Sequence, residues 1–327
     1  MVPRALQEQE AQPEDSGWVG GTISSASQRL PNRPNLVDER SKSIISIITA
    51  CYRTPLSHKE KRIELFDAAY KGFLELDALH TENAEEHELV RCMLYLAMPT
   101  REGIKKAYEL LAKQLAHSDS REFKYVFIWA ARLAKHYHEG DEVGKRAETE
   151  YPTDPRFPHG RLLNIFEWLK QDGECPYTLG DVVQEAEVAL SLYENLPDNA
   201  REELGVMYND LAYLRSFDPR STVYDLKIAE ENLIRLKQTI PKSEWDPFYP
   251  EYFHTEAHLH FEQFKMNLPH ADSPESSRIL KELVVSARED IDNAIKLNNK
   301  PLYAQLKREI KDGARQLKQA SIDAART

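Results

Sequence analysis

Apolar positions recur three and four residues apart in almost every segment from Leu36 onward, and short polar or proline-bearing links separate these segments. Such spacing places apolar side chains along one face of a helix. A clear example begins at Ser57, which forms a predicted capping box with Glu60. Its apolar stripe consists of Ile63, Phe66, Tyr70, Phe73 and Leu76. The pattern therefore predicts an all-α chain.

Two predicted helices carry further signals. The segment "FKYVFIWAARLAKHY", preceded by a capping pair at Asp119 and Glu122, is apolar around nearly its whole circumference, so we expect it to be buried on several sides. Thr178 and Asp181 form a second predicted capping box. The other helices are expected at about 84–97, from Thr100, at 161–171, 178–196, 199–216, 221–240, 248–267, 274–297 with Pro274 at its first position, and 301–325.

Proline and glycine positions suggest how these helices are organised. Residues 1–35 contain prolines, glycines and serines but few large apolar side chains, which predicts a disordered tail whose single Trp18 could dock elsewhere. Three prolines and three glycines in 140–160 predict a connector between two halves. We therefore expect an N-terminal helical region at 36–139 and a second helical region at 161–327.

The stretch 205–241 shows a repeat-like arrangement on two successive predicted helices. Its diagnostic residues are Leu211 and Ala212 on the first helix, and Ala229, Leu233, Leu236 and Pro241 on the second. This unit resembles a tetratricopeptide repeat, although its loop "SFDPRSTVYD" is longer than the tight turn of that family. The second-helix spacing recurs at Ala186, Leu190 and Tyr193, at Ala287, Ile291 and Ala294, and at Ala69, Phe73 and Leu76. A plain irregular helical bundle is the alternative architecture.

The resemblance implies an antiparallel helix-hairpin array, an α-solenoid, whose first helices line a concave groove for a peptide or helix of another protein. Counted from the small residues Ala212 and Ala257, the implied groove positions are Asn209, Tyr213, Ser216, His254, His258 and Phe261. Each set follows the spacing i, i+4, i+7 and so lies along one helix face. Their polar and aromatic composition suits a recognition surface, although ordinary half-exposed helix residues would have the same composition.

Composition narrows the range of partners. The net charge of −11 disfavours binding to the phosphate backbone of nucleic acid and favours a basic partner. The final helix is a local exception, because 300–327 contains more Lys and Arg than Asp and Glu. A solvated face or a docking patch would both explain this excess.

Cysteine usage and the first residues bear on the compartment. Cys51, Cys92 and Cys175 are odd in number and widely spaced, so neither a disulfide framework nor a thiolate metal site is expected. The start "MVPRALQEQEAQPEDSG" has acidic residues where a signal peptide requires basic and then apolar ones, and the apolar stretches are too short to span a bilayer. We therefore expect a cytoplasmic protein without a membrane partner.

Three short patterns resemble catalytic or binding motifs. In "HTEAH" (254–258) Thr255 stands where a zinc hydrolase needs Glu, so no metal is expected. In "GDEVGKR" (140–146) only three residues separate the glycines, whereas a phosphate-binding loop has four. The pairs Arg53–His58 and Arg132–His138 have the Arg–His spacing of certain all-helical ribonucleases, at a frequency that matches chance.

The sequence favours a non-enzymatic helical-repeat protein that uses no cofactor and binds a protein partner as an adaptor or regulatory subunit. The alternative function is an all-helical ribonuclease with His138 as general base and Arg132 stabilising phosphorane charge. A third possibility is an inert bundle that only dimerises, that is, a homo-oligomer without another partner.

Overall fold

The computed structural model describes most of the chain beyond the N-terminal segment. The described residues are 39–54, 59–78, 84–98, 100–171, 175–196, 201–217, 221–245, 250–270, 273–297 and 300–324. The predicted tail at 1–35, Trp18 and Ser57 of the first predicted capping box lie outside them. Within these ranges every regular element is helical, so the all-α prediction is confirmed.

Contacts divide the chain into two compact units, the first ending at Leu192 and the second beginning at Tyr193. The helices that begin in the first unit are α1 (Glu39–Arg53), α2 (Lys59–Ala78), α3 (Ala84–Ala97), α4 (Arg101–Leu115), α5 (Arg121–Leu133), α6 (Tyr137–Glu150), α7 (Arg156–Leu169) and α8 (Leu179–Glu194). Those of the second unit are α9 (Arg201–Phe217), α10 (Val223–Thr239), α11 (Pro250–Asn267), α12 (Pro274–Leu297) and α13 (Pro301–Ala324).

Helix packing follows the same rule inside each unit. Successive helices from α1 to α7 and from α9 to α13 pack against each other. Odd-numbered helices also pack against the next odd-numbered helix: α1 on α3, α3 on α5 and α5 on α7 in the first unit, and α9 on α11 and α11 on α13 in the second. The main packing of α2, α4, α6, α10 and α12 is only with their sequence neighbours. Each unit is therefore an array of antiparallel hairpins with odd-numbered helices in one layer and even-numbered helices beside them.

Helix α5 illustrates how the apolar pattern determines position. Its residues 123–132 are all buried, in agreement with an apolar composition that extends around the helix. Helices α3, α4, α6 and α7 pack around it. In the second unit Ala257 and Phe264 of α11, Ala287 and Ile291 of α12, and Tyr303 of α13 form one cluster in which each is fully buried.

Local signals determine several helix starts. Thr100 caps α4 by accepting a hydrogen bond from Gly103 N at 3.1 Å. The predicted box before α8 is present, because Thr178 N donates to Asp181 Oδ2 at 2.6 Å and Asp181 N donates to Thr178 Oγ1 at 3.3 Å. At α5 the prediction was wrong: the cap position is Ser120, and its side chain makes no capping hydrogen bond. Pro274 is the first residue of α12, as expected.

The predicted connector at 140–160 is largely helical instead. Residues 140–150 belong to α6 and 156–160 to α7, which leaves a break of five residues. The glycines serve close helix packing rather than turns: a Cβ on Gly140 would lie 2.9 Å from Asn164 Oδ1 and 3.2 Å from the Cβ of Ala131. The division between the compact units lies further along the chain, within α8.

Candidate functional site

The six predicted groove residues lie on two helices that pack against each other. Asn209, Tyr213 and Ser216 belong to α9, while His254, His258 and Phe261 belong to α11. We call this set the α9–α11 stripe.

Side chains of the stripe contact one another across the helix interface. The ring centroid of Tyr213 lies 5.9 Å from that of His254 and 5.5 Å from that of His258. His258 Nδ1 is 3.3 Å from Ser216 Oγ. The predicted face of α9 therefore packs directly against the predicted face of α11.

The remaining stripe residues have partners within the second unit. Asn209 Nδ2 donates to Asp210 Oδ1 at 3.2 Å. Phe261 lies against α13, where a Cβ added at Gly313 would be 2.9 Å from its ring. Helix α13 also contributes Tyr303, whose ring stacks on His254 at 4.8 Å. The stripe is thus in contact with α13, the third odd-numbered helix of this unit.

The stripe is almost entirely buried, whereas a groove-lining surface and ordinary half-exposed helix positions would both leave these side chains accessible. Asn209, Tyr213, Ser216 and His254 are each 1% exposed, and Phe261 is 5% exposed. His258 retains 15% exposure of its side chain. The reason is the direct packing of α9 on α11, which Ala212 and Ala257, both 0% exposed, permit at close range. Whether these residues bind a partner stays a prediction.

Both histidines of the stripe are neutral at physiological pH. Burial, followed by the charges of His258 and Lys300, lowers the pKa of His254 well below its ordinary value. Burial and Lys265 lower the pKa of His258 to about 3. Burial disfavours the protonated, charged form of an imidazole, and the neighbouring cations act in the same direction. The stripe therefore presents dipoles and ring faces rather than charge.

The side chains of Ser216, His258 and Glu262 follow one another in space as the serine, histidine and carboxylate of a hydrolytic triad do. The sequence analysis did not identify this arrangement. His258 Nε2 is 3.7 Å from Glu262 Oε1, one helical turn away. Two observations oppose catalysis there: Ser216 Oγ donates to the carbonyl oxygen of Tyr213 at 3.0 Å, and the lowered pKa makes His258 a weak base. We interpret the arrangement as helix packing.

The residues of the alternative, ribonuclease hypothesis occupy different environments. Arg132 is 4% exposed near the end of α5, whereas the His138 side chain at the start of α6 is 67% exposed, with Nε2 3.9 Å from Glu142. A guanidinium that stabilises phosphorane charge must reach a substrate phosphate. The buried position of Arg132 does not favour that role.

Metal binding and membrane insertion can be examined over the described helices. The rings of His254 and His258 are 6.3 Å apart, and nowhere in the described ranges do three His, Cys, Asp or Glu side chains come together as potential metal ligands. Among the same helices, none has the length and apolar character needed to span a membrane.

Comparison of the chain with protein-family models and with curated protein sequences gives no match. The functional interpretation therefore depends on the packing of the helices and on the stripe.

Proposed function

We propose that this chain is a helical-repeat protein of the tetratricopeptide type that binds a protein partner, as an adaptor or regulatory subunit. The observation that carries the proposal is the regular packing of odd-numbered helices on one another, with even-numbered helices beside them, in each unit. Hairpin arrays with this layering expose extended faces that suit peptides or helices. Small buried residues at the predicted repeat positions, Ala212, Ala229 and Ala287, support the resemblance.

The stripe is the part of the array that we propose takes part in recognition. Because its histidines are neutral, a partner would meet hydrogen-bonding groups and aromatic rings without having to compensate a buried charge. Its burial means that a partner would have to separate α9 from α11 at the His258 end, where exposure is greatest. The net charge of −11 favours a basic partner, whose association should slow as salt rises.

The test begins with the immobilised full chain. A protein captured from extract is identified, purified and titrated against the chain by calorimetry. The variant pair Ser216→Ala and His258→Gln removes the 3.3 Å contact with little change in volume, so the melting temperature should move little while affinity falls at least about tenfold if the partner uses the stripe. Asn267→Ala, at an exposed position of α11, is the matched control and should bind normally.

Two results would count against the proposal. If no captured protein shows saturable binding to the purified chain, the adaptor function is wrong. If a partner binds the double variant as tightly as the control, recognition uses another face and the stripe is structural.

A further inference from the structure

Carboxylate side chains of two helices converge on Arg161 of a third helix in the first unit. Arg161 Nε donates to Asp141 Oδ1 at 2.8 Å, while Nη1 lies 3.2 Å from Glu148 Oε2 and 2.8 Å from Glu185 Oε2. Asp141 and Glu148 belong to α6, Arg161 to α7 and Glu185 to α8. One guanidinium therefore joins carboxylates of the preceding and following helices.

The other polar groups that face this cluster mainly contact Asp141. Lys145 Nζ lies 2.8 Å from Asp141 Oδ2, and Tyr177 Oη donates to the same oxygen at 2.6 Å. Burial alone would raise the pKa of Asp141, but the hydrogen bonds from Lys145, Tyr177 and Arg161 outweigh it and lower that pKa. Asp141 is thus ionised. Cys175, before α8, is another titratable neighbour, and burial raises the pKa of its thiol.

Glycine at position 144 makes the arrangement possible. A Cβ at Gly144 would lie 3.2 to 3.3 Å from three carbons of the Arg161 side chain. The arginine stem therefore lies flat against α6, which brings its guanidinium to both carboxylates of that helix. This glycine has a packing role that its position in a predicted connector did not reveal.

The charges do not balance if every group is ionised. Asp141, Glu148 and Glu185 would supply three negative charges, against two positive charges from Arg161 and Lys145. Because Glu148 and Glu185 both contact Arg161 Nη1, their contacting oxygens are at most about 6 Å apart, a separation at which like charges repel strongly in a partly buried site.

The environment of the second carboxylate oxygen of Glu148 also disfavours full ionisation of the cluster. Glu148 Oε1 is buried and finds no hydrogen-bond partner within the described part of the chain. A buried ionised oxygen without a partner is costly, whereas a protonated carboxyl can donate. Burial, followed by the charge of Glu185, raises the pKa of Glu148 to about 8.

We propose that Glu148 holds a proton at neutral pH beside the Glu185 carboxylate, and that this proton keeps α8 attached to α6 and α7 through Arg161. Loss of the proton sets two anions against one guanidinium and weakens the attachment. The arrangement is a pH-sensitive latch on the helix in which the first unit ends.

Linkage gives the direction and size of the effect. The pKa of Glu148 is about 8 with the latch closed and returns towards its ordinary value of 4.5 when the latch opens. The closed state therefore binds more protons between these values, and it loses stability as pH rises. Between pH 7 and pH 9 the open-to-closed ratio should increase about tenfold.

Hydrogen exchange followed by mass spectrometry of the full chain measures this ratio. After division by intrinsic exchange rates, protection of peptides from α8 should fall about tenfold from pH 7 to pH 9, whereas peptides from α12 should keep theirs. Glu148→Gln retains size and can donate to Glu185, so it should keep α8 protected at pH 7 and abolish most of the fall at pH 9.

Glu142→Gln provides the matched control, since Glu142 lies on the same helix with its side chain 62% exposed. It should behave like the unmodified chain, and so should Cys175→Ser, which removes the neighbouring thiol. An unchanged α8 protection in the unmodified chain would overturn the latch. So would an equal fall in Glu148→Gln and Glu142→Gln, because that result would indicate general alkaline loosening.

Discussion

Arg156, at the start of α7, gives the sharpest test of what stabilises the first unit. It is 6% exposed, and its Nη1 and Nη2 donate to the two carboxylate oxygens of Glu122 at 2.9 and 3.0 Å. Nη2 also donates to Asp154 Oδ2 at 2.8 Å, and the guanidinium lies 4.9 Å from the ring centre of Tyr125. One side chain thus compensates two carboxylates that are themselves shielded from water.

Replacing Arg156 by Ala leaves those carboxylates without their main cation. Asp154 is 4% exposed and would keep the Arg121 cation and the backbone N–H of residue 156, while the Glu122 side chain is 13% exposed. Removing one partner of a buried ion pair usually costs about 3 to 5 kcal/mol, because the remaining charge stays desolvated. We expect a loss in that range. The stability of Arg156→Lys should lie between those of Arg156→Ala and the unmodified chain, because Lys restores the charge but not the bidentate geometry.

Urea unfolding followed by circular dichroism measures the loss, with separate transitions fitted for the two units. Arg315→Ala is the control: its side chain is 69% exposed and pairs with Asp312 on its own helix, so the change should stay within about 0.5 kcal/mol. The Arg156→Ala deficit should shrink in acid as Asp154 takes up a proton. If Arg156→Ala and Arg315→Ala unfold at the same urea concentration, the reasoning is wrong.

Two further predictions concern the repeat packing and catalysis. Ala229→Leu inserts a large side chain at a position of α10 that is 0% exposed, so overpacking should lower the free energy of unfolding by about 1 to 3 kcal/mol. Glu230→Leu, at the exposed neighbouring position, should not lower it. Equal thermal stability of the two variants would contradict close packing at Ala229. Because Arg132 is buried, purified chain should leave RNA intact, and cleavage that disappears specifically in His138→Ala would instead support the ribonuclease hypothesis.

The positions of the helices were predictable because apolar periodicity, capping residues and prolines act on the local chain. The expected helix at 84–97 and the one at 274–297 have those limits in the structure, and the Thr178–Asp181 box lies where its sequence spacing indicates. The connector at 140–160 was not predictable in the same way. A glycine that provides space for a neighbouring helix has the same sequence signal as a glycine in a turn, and only the position of Asn164 or Arg161 distinguishes them.

The stripe shows a second limit, which concerns polar residues on helix faces. Spacing alone placed Tyr213 and His258 on the correct faces, but their polarity was interpreted as exposure. Polar side chains are tolerated in an interface when they find partners there, as Ser216 and His258 do, and the partner lies on a helix some forty residues away in the chain. No local pattern reports such a contact.

Neutral polar contacts between odd-numbered helices also bear on how the array could respond to a partner. An aliphatic interface would hold α9 on α11 by burial alone, whereas the stripe depends on matched dipoles such as Ser216 with His258 and on ring contacts of Tyr213. Such contacts can be exchanged for equivalent ones from a ligand at small net cost, because each hydrogen bond contributes only about 0.5 to 1.5 kcal/mol. Separating α9 from α11 completely would still expose the buried rings of Tyr213 and Phe261, so exchange of polar contacts is favoured at the His258 end, where the stripe is already partly exposed.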